Sequence, residues 1–366
     1  MKTQLLAATA LAMTASLAHA GGLERRGDPS MILFEKSKNY AEFSVVNVNP
    51  SVSGAPLPGV PTGPTGNILK SYRNFAGGLK MDVTDRWTLG IVVDEPVGAD
   101  VDYTVPGAFF SGSDAEVSSL SVNLLARYKA TDRFSVYGGL RYIGVDGDIT
   151  VISPATAPLG SGPGTPYTLS VDKDYQLGYL LGAAYEIPDI ALRVALTYES
   201  KTEHDFKDNT GASFGVEIPR AVTLHFQSGI AANTLVFGSI KWREWTEFTV
   251  QPLDFISFAS GAPVNAPIAF EEDDIWTYEL GIGRRFNANW SGAATIGYET
   301  KEGSEVGNLG GTDGFIRYGL AAIYENDSIK VTTGISYIDL GNANSNVTSF
   351  RDNDAIAIGT KVGFKF

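Results

Sequence analysis

The sequence predicts an all-β protein: a 14-stranded antiparallel transmembrane β-barrel with a short N-terminal segment inside its lumen. Three observations predict it. The closing residues, Ala355 to Phe366, alternate strictly. Ile356, Ile358, Val362, Phe364 and Phe366 fall on one parity and Ala355, Ala357, Gly359, Lys361, Gly363 and Lys365 on the other. A period of two is a strand with one apolar face, and a final Phe suits the closing strand of an outer-membrane barrel. The N-terminus reads as a secretory signal. Short turns and long loops alternate along the rest of the chain, as a membrane barrel requires.

The elements follow in order. Residues 1–20 are expected to be a signal peptide: basic Met1-Lys2, an apolar stretch from Leu5 to Leu17, and the small-x-small site Ala18-His19-Ala20. Residues 21–39 form the N-terminal segment and residues 40–366 the barrel. Strands are expected at 40–53, 70–82, 86–97, 115–130, 133–149, 174–187, 190–205, 214–229, 233–251, 271–286, 289–300, 313–325, 328–340 and 353–366. Turns such as Thr131-Asp132, Pro188-Asp189 and Asn326-Asp327 are short, whereas 54–69, 98–114, 150–173, 206–213, 252–270, 301–312 and 341–352 are long loops. An even strand number puts both termini on the periplasmic side.

Within strands, charge shares the face of the small residues. Leu120, Val122, Leu124, Ala126 and Tyr128 alternate with Ser121, Asn123, Arg127 and Lys129; Leu125 breaks the pattern. An Arg or Lys on the lipid face at mid-depth costs about 2–4 kcal/mol, so these charges are assigned to the lumen. Trp87, Trp290, Tyr298, Tyr324 and Tyr337 lie near strand ends, where interfacial belts form.

Composition narrows the function. The chain holds no cysteine and has a net charge of −13, which argues against a nucleic-acid partner. No catalytic triad, phosphate cradle or metal-ligand spacing is found, and no cofactor or metal is expected. Glu271-Glu272-Asp273-Asp274 reads as solvated rim charge. The predicted outer loops, by contrast, are apolar and proline-rich, as in Ala55 to Pro61 and Val105 to Phe110. Exposed apolar surface marks a ligand contact, with Phe109 and Phe110 as the candidate capture groove; equally, the loops pack on one another as a cap. The lumen parity carries Lys241 and Arg243 beside Trp245. They are read first as structural ion pairs and second as a clasp for a fatty-acid carboxylate. Asp94, Glu95 and Pro96 are poor strand formers, and proline lacks the N–H that a ladder needs. Either the third strand ends there or it kinks and opens the wall.

Longer stretches carry a family resemblance. Gln176 to Tyr185, Leu192 to Ser200 and His204 to Asn209 follow one another with family-like spacing, and Ile218-Pro219 precedes Leu235 to Phe248, which includes Trp245-Thr246-Glu247-Phe248. With Trp276 to Gly297 and the last two strands, most of 170–366 resembles the FadL/TodX (OmpP1) family of outer-membrane transporters for hydrophobic compounds. The resemblance implies a 14-stranded barrel whose outer loops gather an apolar ligand. The ligand then leaves sideways into the bilayer at a kinked third strand, and an N-terminal hatch plugs the lumen. Asp28-Pro29-Ser30 is similar to the family's Asn-Pro-Ala at the end of the hatch. Only Gly21 to Pro29 lead up to it, which makes a short-hatch variant. The expected function is passive uptake of hydrophobic compounds, foremost long-chain fatty acids. The alternatives are an aromatic-hydrocarbon channel of the same family and a general polar-solute porin. The expected partners are the hydrophobic ligand, outer-membrane lipid and lipopolysaccharide, around a monomer.

Overall fold

A computed structural model describes residues 23–301, 305–307 and 310–366. The predicted signal peptide therefore lies outside the described residues. Among them, fourteen strands make the wall: β1 (Asn39–Ser51), β2 (Tyr72–Asp82), β3 (Trp87–Asp94), β4 (Asp114–Lys129), β5 (Phe134–Val151), β6 (Tyr167–Ile187), β7 (Leu192–Glu199), β8 (Ala221–Ala231), β9 (Thr234–Arg243), β10 (Ile275–Arg285), β11 (Trp290–Glu299), β12 (Phe315–Glu325), β13 (Ile329–Leu340) and β14 (Asn353–Lys365). Each pairs antiparallel with the next, and β14 closes on β1 from Tyr40↔Lys365 to Ser51↔Asp354. Closure satisfies every neighbour and leaves no sheet edge in lipid. No helix among the described residues is long and apolar enough to cross a membrane.

The parity read from the sequence decides which way side chains point. Leu124, Leu320, Ile356 and Ile358 are exposed toward lipid, while Arg127, Arg141, Arg193, Lys241, Arg243 and Arg317 are buried in the lumen. Trp87 and Tyr128 pack together at one rim, as do Trp290 and Tyr324. Tyr278 and Tyr298 stack toward the other.

Five of the expected strands differ in extent or path. The stretches expected as wall strands at 190–205 and 214–229 each split. Thr202–Lys207 and Ser213–Ile218 form a separate hairpin outside the wall, beyond Ser200 and before Pro219. Alternation runs on through the handover, so the period does not mark it. The strand expected at 174–187 begins earlier, at Tyr167, where it pairs with Val151. The strand expected at 233–251 stops at Arg243 and passes into a 3₁₀ turn, Trp245–Glu247. The third strand neither ends nor runs through: β3 stops at Asp94, and the chain returns to the wall at Ala99–Asp102 beside β4.

Beyond the wall, the outer loops build a cap. Short pairings join distant loops, such as Gly54–Pro56 with Thr348–Phe350 and Thr156–Pro158 with Phe255–Ser257. Their core includes Val52, Ile68, Tyr103, Phe110, Tyr167, Trp245, Phe255 and Phe350.

The N-terminal segment lies inside the barrel. A 3₁₀ helix, Pro29–Phe34, starts with Pro29, whose fixed φ suits a first helical position, and Asp28 caps it by accepting from the Ser30 N–H at 2.8 Å. Ile32, Leu33 and Phe34 pack against Val92, Leu125, Tyr137 and Leu180. This explains Leu125, the apolar residue on the lumen parity: it faces the plug. Gly78 and Gly90 leave the room, since a Cβ at Gly78 would stand 2.4 Å from Ile32 Cδ1. Phe34 sits between two guanidinium groups, Arg127 at 4.2 Å and Arg193 at 4.7 Å, with Tyr137 edge-on at 5.4 Å. At the periplasmic end, Lys330 holds Glu35 at 3.1 Å and Lys80 donates to the Ser37 carbonyl at 2.6 Å.

Candidate functional site

The break in the third strand sets the site. β2 and β3 pair as far as Ala76↔Asp94. They meet again only where the Lys70 N–H donates to the Asp100 carbonyl at 3.0 Å and Leu69 bridges Val101. The register is the same on both sides of the break, so the chain bows away from its neighbour and rejoins without slipping. Toward β4, pairing stops at Asp94↔Ser121 and resumes at Ala99↔Val117. Four residues, 95–98, thus face three, 118–120, which is the count of a bulge. Pro96 supplies the reason, because it has no N–H for the ladder.

Side chains stand in for the missing rungs. Glu95 accepts the Phe75 N–H through Oε2 at 2.9 Å, and its carbonyl accepts from Asn74 Nδ2 at 2.9 Å. On the other flank the Ser119 hydroxyl donates to the Val97 carbonyl at 2.5 Å and accepts the Val97 N–H at 3.0 Å. Inside, the N-terminal segment adds itself to the bowed strand. Glu24 bridges Val97, the Arg25 N–H donates to the Pro96 carbonyl at 2.8 Å, and the Gly98 N–H donates to the Leu23 carbonyl at 2.8 Å. Gly98 leaves room for the Arg25 guanidinium, which a Cβ there would meet at 2.6 Å and displace.

Three consecutive side chains then tie this segment down. Arg25 spans the break, lying 4.1 Å over the Tyr72 ring on one lip and 2.6 Å from Asp100 on the other. Arg26 pairs with buried Asp94 at 3.2 Å, just below the break. Glu24 reaches across the lumen to Lys241 and Arg243. Lower down, Asp28 accepts from His225 Nε2 at 3.2 Å. Burial pushes the Asp28 carboxyl up, but the hydrogen bond and charge of His225, with help from Ser30 and Thr197, outweigh it and hold the group below its ordinary value.

Around Leu23 lies an apolar chamber of two lobes, about 100 Å³ and about 60 Å³. Leu23, Val117, Ile149, Phe248 and Val250 line both. The larger lobe touches both lips of the break, through Tyr72 and Ala99. A third cavity, of about 540 Å³, opens at the periplasmic end among Lys36, Lys80, Asp82, Arg127 and Glu186. It is polar and stands apart from the chamber, with the plug helix between.

The structure brings some of the sequence-predicted residues together. Asp94, Glu95 and Pro96 all stand at the break. Lys241, Arg243 and Trp245 gather at the end of β9 and line neither lobe; the fully buried Trp245 ring lies 5.9 Å from the Arg243 guanidinium and 5.7 Å from Phe248, which does line the chamber. Phe109 and Phe110 line neither lobe. Phe110 is buried against Tyr103 at 5.6 Å, and Phe109 packs on the same cap core. Replacing both with Ala is therefore expected to lower the thermal midpoint of the cap, because a buried Phe→Ala costs about 3–5 kcal/mol. Cargo affinity should change less than for Phe248→Ala, and the reverse order in a binding titration would put the pair back in the capture groove. Sequence reasoning did not identify Leu23, Glu24, Val97, Phe248 or Val250 as site residues; the one signal was the charged run Glu24-Arg25-Arg26.

Comparison with known proteins follows this geometry. The sequence model of a family described as outer membrane protein transport protein (OMPP1/FadL/TodX) matches residues 8–362. No curated protein matches. A Pseudomonas aeruginosa FadL homologue superposes with a TM-score of 0.75 at 15% identity, covering 93% of each chain. The Pseudomonas putida toluene transporter TodX gives 0.67 at 13% identity, over 96% of this chain and 98% of that one. The CymD monoaromatic hydrocarbon channel gives 0.63 at 15% identity, over 94% of both. At such identities the structural likeness speaks for the fold.

Proposed function

Since the chain belongs to the OMPP1/FadL/TodX family of outer-membrane transporters for hydrophobic compounds, we propose that its cargo is a small apolar molecule, gathered beneath the cap, held around Leu23, and released sideways through the break beside the third strand. One observation carries the reading: the larger apolar lobe opens onto both lips of the break, Tyr72 and Ala99. An apolar molecule gains nothing from a wet exit and gains the bilayer from a lateral one. A polar solute needs a water-filled, charged constriction. Here the plug helix packs against the wall below the chamber, with ion pairs around it. The toluene and monoaromatic channels named above support a small apolar cargo.

Long-chain fatty acid is the second reading, favoured by the pair Lys241 and Arg243 next to the chamber. Proteoliposomes offered labelled toluene, oleate and a sugar test the proposal. Toluene entry well above that of empty vesicles, with sugar at the empty-vesicle level, is the expected result. Sugar flux matching that of the hydrophobic compounds would return the barrel to a porin.

A further inference from the structure

Lys241 and Arg243 project from β9, and the carboxylate that both of them meet belongs to this chain. Glu24 touches the Lys241 ammonium directly and lies 3.2 Å from Arg243 Nη2. Glu24 is 3% exposed and fixed by its own backbone through the bridge to Val97. The neighbouring Leu23 lines both lobes. A buried carboxylate on the basic pair thus stands one residue from an apolar group in the chamber, much as a head group stands beside a tail. The rest of the cluster is also matched: Glu199 lies 2.5 Å from Arg141 and 3.9 Å from Arg243.

We propose that Glu24 sets the charge of the cargo: its carboxylate satisfies Lys241 and Arg243, bars carboxylate ligands, and leaves the chamber to uncharged apolar molecules. A second anion brought into this buried place would meet Glu24 as a like charge and lose its hydration without gaining a cation. An uncharged ring or alkanol meets neither cost. The inference rests on the chamber reading of the previous section and decides between its two cargo classes.

Competition against labelled toluene on the full barrel in detergent tests it, with dodecanol and dodecanoate as a pair that differ in head-group charge. On the wild-type protein, dodecanol should compete and dodecanoate should be weaker by about tenfold or more, the worth of one charge-assisted contact. In Glu24→Gln the vacated bases should accept the ligand, so dodecanoate should strengthen by about tenfold or more relative to dodecanol on the same variant. In Glu24→Gln with Lys241→Met that gain should disappear, whereas a merely structural Glu24 would show no gain to lose. Equal competition by the two amphiphiles on the wild-type protein overturns the inference, and this comparison needs no variant to fold. A Glu24→Gln protein that binds toluene but gains no affinity for dodecanoate overturns it too. A wild-type protein that binds neither toluene nor dodecanol defeats the chamber reading itself, and the inference with it.

Discussion

Oxidising a cysteine pair introduced as Phe75→Cys and Glu95→Cys is expected to reduce hydrophobic uptake to the level of empty vesicles, and reducing the pair should restore it. These positions are the first rung above Ala76↔Asp94, the last paired rung below the break. The Phe75 N–H and the Glu95 carboxylate already meet there at 2.9 Å. Paired residues of antiparallel strands hold their Cα atoms about 4.5–5.5 Å apart, within the span a disulfide accepts, and this pair lies one step beyond the last such rung. The chain has no other cysteine, so the cross-link is unambiguous. Once formed, it fixes the bowed segment 95–98 to β2 and removes the freedom of the two lips to part. The reduced protein serves as its own control for the lost Glu95 side chain. Unimpaired uptake through the oxidised barrel, with the cross-link verified by mobility, would rule out lateral exit here.

Phe34→Ala is expected to convert a plugged barrel into a conducting one. Its ring is buried, wedged between the Arg127 and Arg193 guanidinium groups and edge-on to Tyr137. Truncating a buried Phe costs about 3–5 kcal/mol, and a desolvated cation–π contact about 2 more. The lower end of that sum, about 5 kcal/mol, shifts the docking equilibrium of the plug by more than about a thousandfold. The wall does not depend on Phe34 for its ladder, so an unheated gel sample should still run as the folded band. Planar-bilayer recordings should then show frequent openings absent from the wild-type protein. An unchanged current through a folded Phe34→Ala barrel would mean that the plug is held by its ends, at Glu24 and Glu35, and not by its middle.

The wall was legible because lipid and lumen impose opposite demands on alternate residues. Thirteen or so residues of strict alternation, as in β14, leave little freedom in the reading. What alternation cannot show is where a strand leaves the wall. Thr202 to Ile218 keeps its period in a hairpin that pairs with itself outside the closed sheet. Pro96 announced a local break, yet nothing local says that Ala99 returns to β4. Phe109 and Phe110 fit a groove and a cap equally as residues, and only the packing on Tyr103 distinguishes the two. The lumen was least legible. Glu24 finds its partners 217 and 219 positions away on β9, and a run of three charged residues carries no mark of what it will meet across a barrel. Lys241 and Arg243 were read first as structural ion pairs and second as a clasp for a fatty-acid carboxylate, and the carboxylate beside them is the chain's own Glu24.

The plug's attachments also bear on the order in which the molecule assembles. The segment precedes β1, yet it is held by His225, Arg243 and Lys330, which lie 197, 219 and 295 positions further on from their respective partners. Closing loops that long adds only a logarithmic entropic cost, but the contacts cannot form before their partners are placed, and such non-local pairings slow folding. A segment near the start of the chain is therefore expected to be among the last to settle. Until it does, the wall would surround an unsealed polar lumen, and a newly inserted barrel would briefly leak. Sequence changes at Glu24, Asp28 or Glu35 would act on the length of that interval even where the finished protein is equally stable.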